Sequence, residues 1–369
     1  MAELPELPMK TSPHLLVYIS AHGYGHVAQT APVLNFLCEL LPSLQLTLCS
    51  AAPLAHLQAR IHVDFQHIPK SLDFGLVMAS AMGVLVEPSM QAYRQFHQEW
   101  DEKVAAEAQF ISQLAPDFVL SNVAYLPLAA AKQAGGGCAA MCSLNWADIF
   151  WHYCVALPDA EVIHRQMTQA YAAADSFLRL TPGMPMAEMP NLLEIGPIAR
   201  VGKNRRAEID VKLGLQQGER LVLVTLGGIA CRLPMEHWPR IPGVRWLVQA
   251  DWGVAHADAC SLDALHMDFT DVLASCDAML CKPGYGSFAE AAYNGTPVLY
   301  VGRPDWPEQP CLVDWLSAHG VALEVAPDAL ESGAVQDVLD RLFAMPRPSP
   351  AAPEGIAEAA GYLLGHLAR

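Results

Sequence analysis

Two glycine-rich turns hold the residues best suited to chemistry. The first is His22-Gly23-Tyr24-Gly25-His26. A neutral imidazole takes a proton from a hydroxyl near pH 7, so His26 and His22 are candidate general bases. The alternative is a tight turn whose histidines cap a helix. The second turn opens Lys282-Pro283-Gly284-Tyr285-Gly286-Ser287 and runs on to Gly295-Thr296-Pro297. Backbone N–H groups around Gly286 and Ser287, at a helix start, would hold a pyrophosphate. Ser287-x-x-Glu290 reads as a capping box, with the Glu290 carboxylate accepting the Ser287 N–H. One turn into the helix, that carboxylate could equally accept two vicinal hydroxyls of a ribose, and both readings stand.

Two weaker motifs accompany them. Arg303-Pro304-Asp305-Trp306-Pro307-Glu308-Gln309 places a carboxylate beside an amide at a helix start, which suits a polyhydroxyl ligand. Ser143-Leu144-Asn145-Trp146-Ala147-Asp148 places an amide, an aromatic ring and an acid after a strand. That set can contact a carbohydrate, or be a core Trp with a capping pair. No D-x-D occurs, so a metal-bridged diphosphate of that kind is not expected, and no metal site is assigned.

These turns need strands to present them. Residues 15–19 form an apolar run, the first turn follows, and apolar residues then recur at helical spacing to Leu41. Residues 44–48 make the next strand. A strand, helix, strand unit implies parallel pairing. Further strands are expected at 62–68, 117–121, 138–143 and 176–180, with helices over 92–114, with a possible break, and 160–174. The alternation breaks near Gly196-Pro197 and restarts with strands at 221–225, 244–249, 277–281, 297–301 and 321–325. Helices are expected at 271–275, 287–293, 309–319 and 356–367.

Composition bounds the partners. The chain has 369 residues, 53% hydrophobic and 16% charged, enough for two domains and far too apolar for disorder. Lys and Arg number 22 against 38 Asp and Glu, for a net charge of −16. That excess argues against general nucleic-acid binding and against an electrostatic grip on anionic lipid. Arg200, Lys203, Arg205 and Arg206 crowd a polar stretch that reads as a solvated linker. Lys282 is the best countercharge for a small anion, and Arg303 stands at a neighbouring strand end. Ten cysteines lack disulfide-domain spacing, and fourteen histidines include no H-E-x-x-H. No secretory signal or membrane span is expected, so the reading is a soluble, cytoplasmic protein. Phe74, Val77, Met78 and Met82 read as core.

The two turns, at this separation and on two α/β halves, resemble the GT-B glycosyltransferase superfamily. The block from Lys282 through Thr296-Pro297, with Tyr300-Val301 and Glu308-Gln309, looks like the donor signature of nucleotide-sugar-dependent members. The turn ending in His26 is similar to that of the lipid-II-forming N-acetylglucosaminyltransferase and its relatives. A closer likeness is to the glycosyltransferase-like N-terminal region of L-arabinokinases. There a His-Gly-aromatic-Gly-His turn and a Lys-x-Gly-Tyr-Gly block recur, and Asn145-Trp146-Ala147-Asp148 is a partial match. Lys282-Pro283 stands where many transferases have His or Ser.

The resemblance implies an α/β GT-B fold of two facing Rossmann-like domains with parallel sheets and a cleft between them. The expected units are residues 1–199 on the acceptor side, 200–346 on the donor side, and 347–369 as a spacer and helix packing back on the first domain. Gly227, Gly228, Lys282, Gly284, Tyr285, Gly286 and Ser287 would face the donor nucleotide and its phosphates. Glu290 would hold the ribose, and Glu308 and Gln309 the donor sugar. Gly23, Tyr24, Asn145, Trp146 and Asp148 would meet the acceptor. The implied activity is metal-independent sugar transfer from a nucleotide sugar, such as a UDP-sugar, to a hydroxyl. No cofactor is expected beyond the nucleotide sugar as co-substrate. The alternatives are a non-catalytic nucleotide- or sugar-binding module and a sugar-nucleotide epimerase.

Overall fold

The computed structural model describes residues 12–80, 83–227, 232–348, 350 and 352–368. Met82 and Gly228 lie outside the described residues. Strands β1 (His14–Ile19), β2 (Gln45–Cys49), β3 (Gln66–Ile68), β4 (Phe118–Asn122), β5 (Cys138–Cys142), β6 (Ser176–Leu180) and β7 (Leu192–Ile195) form one sheet. Its order is β3-β2-β1-β4-β5-β6-β7, and every pairing is parallel. Strands β8 (Arg220–Thr225), β9 (Val244–Val248), β10 (Ala259–Ser261), β11 (Ala278–Cys281), β12 (Val298–Val301) and β13 (Ala322–Val325) form the second sheet. Its order is β10-β9-β8-β11-β12-β13, again all parallel. The central strands are buried on both faces, which is why they read as unbroken apolar runs rather than as alternating ones. Neither β7 nor β10 was expected from the sequence. Both are edge strands with little buried side chain, so they lack such a run.

In each sheet the order reverses beside the first strand, between β1 and β4 and between β8 and β11. Ligands of open α/β sheets bind beyond the strand ends at such a switch point. Here the chain continues from those ends into both glycine turns, and the two helices they start lie against each other. These are Gly25–Leu40 and Tyr285–Asn294. A Cβ on Gly286 would lie 3.1 Å from the Ala28 Cβ, so a glycine there permits the close approach. One continuous apolar cluster runs through both helices and onto both sheets.

The long helix expected over 92–114 is two helices, Val86–His97 and Trp100–Leu114. Phe74 packs against Tyr93 and Phe96, inside the core. The basic stretch after Ala199 is not a solvated hinge. Arg200 pairs with Asp268, Arg205 with Glu208, and Arg206 with Asp210 and Asp277. Those pairs fasten the crossing segment to the second sheet's helices and loops.

The last helix, Gly355–Leu367, returns to the first sheet. Its Ala359, Ala360, Leu363 and Leu367 join the same apolar cluster as Val27, Ala31 and Leu34. Its entry is a backbone clasp. The Gly355 N–H donates to the Pro197 carbonyl at 3.2 Å, and the Glu358 carboxylate accepts the Gly196 N–H at 2.6 Å. A Cβ on Gly355 would sit 1.9 Å from the Gly196 carbonyl oxygen, so no larger residue fits without moving backbone.

A cleft with a neutral wall and a charged wall

Both glycine turns line one cavity of about 450 Å³ between the two sheets. On the first wall His26 is buried. Its Nδ1 lies 2.8 Å from Asn122 Oδ1, at the end of β4. The Asn122 Nδ2 donates to Gln29 Oε1 and to Thr30 Oγ1, each at 3.0 Å, which orients the amide. Its oxygen can only accept, so the His26 proton sits on Nδ1 and the lone pair on Nε2. Burial lowers the pKa of His26, opposed by the Asp73 charge and the Asn122 hydrogen bond, so the ring is neutral at pH 7. Burial and the neighbouring His26 push His22 down to about 4. Burial raises the Asp73 carboxyl, and the Trp146 Nε1–H donates to it at 2.8 Å.

A chain of buried hydrogen bonds continues from His26 across the cleft. From Asn122 it passes to Gln29, whose Nε2 donates to Ser143 Oγ at 2.8 Å. The Ser143 hydroxyl then donates to Glu308 Oε1 at 2.6 Å. Every donor in the chain points toward the Glu308 carboxylate, and all five residues are buried. Only the last bond crosses between domains. Burial raises the Glu308 carboxyl, opposed first by the Ser143 hydrogen bond.

The second wall carries charge. Lys282 follows β11, and Gly284 precedes the helix Tyr285–Asn294, whose first turn opens on the cavity. Gly227 has φ +79°, a left-handed conformation that favours glycine, and it faces the Lys282 side chain, whose Cε would be in ordinary contact with a Cβ at 3.4 Å. Glu290 is buried, with its carboxylate held by Arg60 of the first domain: Nη1 to Oε1 at 2.6 Å and Nη2 to Oε2 at 3.4 Å. Arg60 also stands over the Phe269 ring at 5.2 Å.

This corrects the capping-box expectation. The helix begins at Tyr285 with Gly284 as its cap, so Ser287 lies inside the first turn and Glu290 is free to cross the cleft. The third and fourth motifs are corrected in part. Glu308 and Trp146 line the cavity, but Gln309, Asn145 and Asp148 do not. Asn145 is fully buried and caps its own helix, accepting the Asp148 N–H at 2.7 Å and donating to Asp148 Oδ2 at 2.9 Å. The Gln309 side chain accepts the Arg303 backbone N–H instead. Tyr285 does line the cavity, but its hydroxyl pins the domains, accepting from the Ile198 N–H at 2.8 Å and donating to the Thr181 carbonyl at 3.0 Å.

His22, Gly23, Tyr24, His26, Gly227, Lys282, Gly284, Gly286, Ser287 and Glu290 all meet at the cavity. Sequence reasoning did not assign Gln29, Arg60, Asn122 or Phe269. Asn122 carried a usable signal, a polar Ser121-Asn122 pair ending an otherwise apolar strand. Arg60 carried none, because its partner lies 230 residues away.

Two facing Rossmann-like domains with parallel sheets and a shared cleft define the GT-B fold. The likeness is to the GT-B glycosyltransferases across nearly the whole chain. The glycotransferase of kitacinnamycin superposes with a TM-score of 0.62 at 14% identity, covering 97% of this chain and 95% of that one. UGT89C1 of Arabidopsis thaliana, complexed with quercetin, gives 0.62 at 12% identity, covering 97% and 100%. The glycosyltransferase VinC, in complex with dTDP, gives 0.53 at 15% identity, covering 96% and 95%. Among curated proteins, L-arabinokinase of Arabidopsis thaliana is 24% identical over 344 residues, 91% of this chain. The chain spans 33% of the length of that relative. No protein-family model matches the chain.

Proposed function

We propose that the protein transfers a glycosyl group from a nucleoside diphosphate sugar, a UDP-sugar in the first instance, to a hydroxyl acceptor without a metal. The observation that carries this reading is the orientation of His26. Asn122 fixes the proton on Nδ1, leaving a basic Nε2 on a residue that faces the cavity shared with Lys282 and the Tyr285–Asn294 helix start. Nε2 takes the acceptor proton as the acceptor oxygen bonds to the anomeric carbon. The bond from that carbon to the donor phosphate breaks, and its electron pair leaves with the diphosphate. Lys282 and the N–H groups of the first helical turn stabilise the departing charge. A single displacement of this kind inverts the anomeric centre. Glu290 holds the ribose while sharing Arg60, and Glu308 meets the transferred sugar. A cytoplasmic site of action fits the free thiols among the described cysteines.

The test is a panel of UDP-, GDP- and dTDP-sugars, read by calorimetry and by nucleotide release with a mixed hydroxyl-acceptor set. Binding with turnover, and an inverted product anomer by NMR, is the expected result. A folded protein that binds no sugar nucleotide would end this reading.

A second reading, a binding module without chemistry, is favoured by one observation. The group hydrogen-bonded to His26 Nδ1 is a neutral amide, and burial outweighs the Asp73 charge, so a developing imidazolium is poorly offset there. It expects nucleotide-dependent thermal stabilisation with no turnover on any acceptor.

A further inference from the structure

Arg303 follows β12 and lines the cavity, yet it is only 4% exposed. Its Nε and Nη2 atoms are buried with no hydrogen-bond acceptor among the described residues. It also forms no ion pair there. The comparable arginines differ: Arg60 has Glu290, and Arg206 has Asp210 and Asp277. The acids nearest Arg303 in sequence are otherwise engaged. Glu308 accepts from Ser143 and Trp306, and Asp305 accepts from the Tyr153 hydroxyl. Burial lowers the pKa of Arg303, but a guanidinium does not lose its proton in a protein. A buried, permanent and unpaired charge is costly. It makes sense where a ligand supplies the missing anion.

The position says which part of the ligand. The guanidinium lies over the Trp306 ring at 4.4 Å, and Trp306 belongs to the apolar core of the first domain. Arg303 is therefore held toward the wall that bears the histidines, close in sequence to Glu308. The proposed diphosphate place is the Tyr285–Asn294 helix start with Lys282, on the same cavity, and it is the Trp306 side that Arg303 is held against. A planar guanidinium matches a carboxylate through two parallel hydrogen bonds. We infer that Arg303 is the recognition residue for a carboxylate on the ligand, carried by the sugar of the donor or by the acceptor. This rests on the glycosyl-transfer reading and narrows its substrate class to acidic sugars or acidic acceptors.

Two matched comparisons test it on the full chain, with Arg303→Met and Arg303→Lys alongside. The donor arm measures binding of UDP-glucuronate, UDP-glucose and UDP by calorimetry. The acceptor arm measures 4-hydroxybenzoate against 4-hydroxybenzamide with UDP present. The expected result is at least a tenfold preference for the acid in one arm. That preference should vanish in Arg303→Met, return in part in Arg303→Lys, and leave the affinity for UDP within threefold. The arm that responds identifies the source of the carboxylate. Equal loss of UDP and both donors in Arg303→Met would make Arg303 a phosphate ligand and overturn the inference. No preference in either arm of the parent protein would overturn it too. If UDP itself does not bind, the donor reading falls separately, and free glucuronate against glucose still decides the role of Arg303. Should Arg303→Met fail to fold, the parent comparison and Arg303→Lys carry the same decision.

Discussion

The two walls of the cleft solve different problems with different chemistry. Around His26 the first wall is neutral: His26, Asn122, Gln29 and Ser143 hand hydrogen bonds from one to the next and hold no net charge among them. The second domain's wall is charged: Lys282 and Glu290 flank the Tyr285–Asn294 helix, while Arg303 and Glu308 lie toward the histidine-bearing wall. A neutral, oriented base and a separate electrostatic cradle are what proton removal and diphosphate departure respectively require. The contrast teaches that orientation and charge can be assigned to different domains and joined only when the domains face each other.

Four experiments break or sharpen that contrast. The largest effect should come from His26→Ala, which removes the proposed base. The kcat should fall about a hundred- to ten-thousand-fold with donor KM nearly unchanged, as measured by steady-state nucleotide release. Next is Glu290→Ala, which strips the charged wall of its proposed ribose ligand and leaves the half-buried Arg60 without its carboxylate. Thermal or urea unfolding should register a loss of about 3 kcal/mol, and donor KM should rise. Adding Arg60→Met should recover part of the stability and none of the donor affinity.

The third experiment concerns pH. His26 must be neutral to act, and burial lowers its pKa. The acid limb of kcat/KM should therefore lie below the ordinary histidine value of about 6.5, with activity retained as pH falls through it. Asn122→Asp puts a carboxylate beside Nδ1–H and favours the imidazolium, so the limb should move up by about 1 to 3 pH units. A limb that does not move would remove His26 from the base role. The smallest effect is expected from Ser143→Ala. It severs the one hydrogen bond by which the neutral chain reaches Glu308, costing about 1.5 to 3 kcal/mol for a bond to a charged group. The loss should show as reduced thermal stability and a lower kcat, with UDP affinity unchanged.

Much of the fold was legible in the sequence because its central strands are buried on both faces. Runs such as Leu221-Val222-Leu223-Val224 announce themselves, and the glycine turns fall at their ends. The edge strands β7 and β10 were not legible, since they bury too little to demand apolar residues. The site was legible where chemistry is local. His22, His26 and the Lys282 to Ser287 turn all line the cavity. It was misread where a side chain had both a near and a distant partner available. The spacing of Ser287 and Glu290 fits a cap, yet Glu290 bonds Arg60 across the cleft. Asn145 and Asp148 went the other way, since a pattern that suits a sugar is consumed by a helix cap. Arg303 was visible only as a cation near a strand end; that its Nε and Nη2 find no acceptor among the described residues is a three-dimensional fact.

The clasp between Gly196 and Gly355 bears on the order of assembly. Residues that follow the second domain in sequence complete the hydrophobic core of the first. In topological terms the second domain is an insertion into the first. During vectorial synthesis the first sheet can pair its strands early, but it must wait for the whole second domain to be made before its outer helix arrives. The half that emerges first from the ribosome is the half finished last.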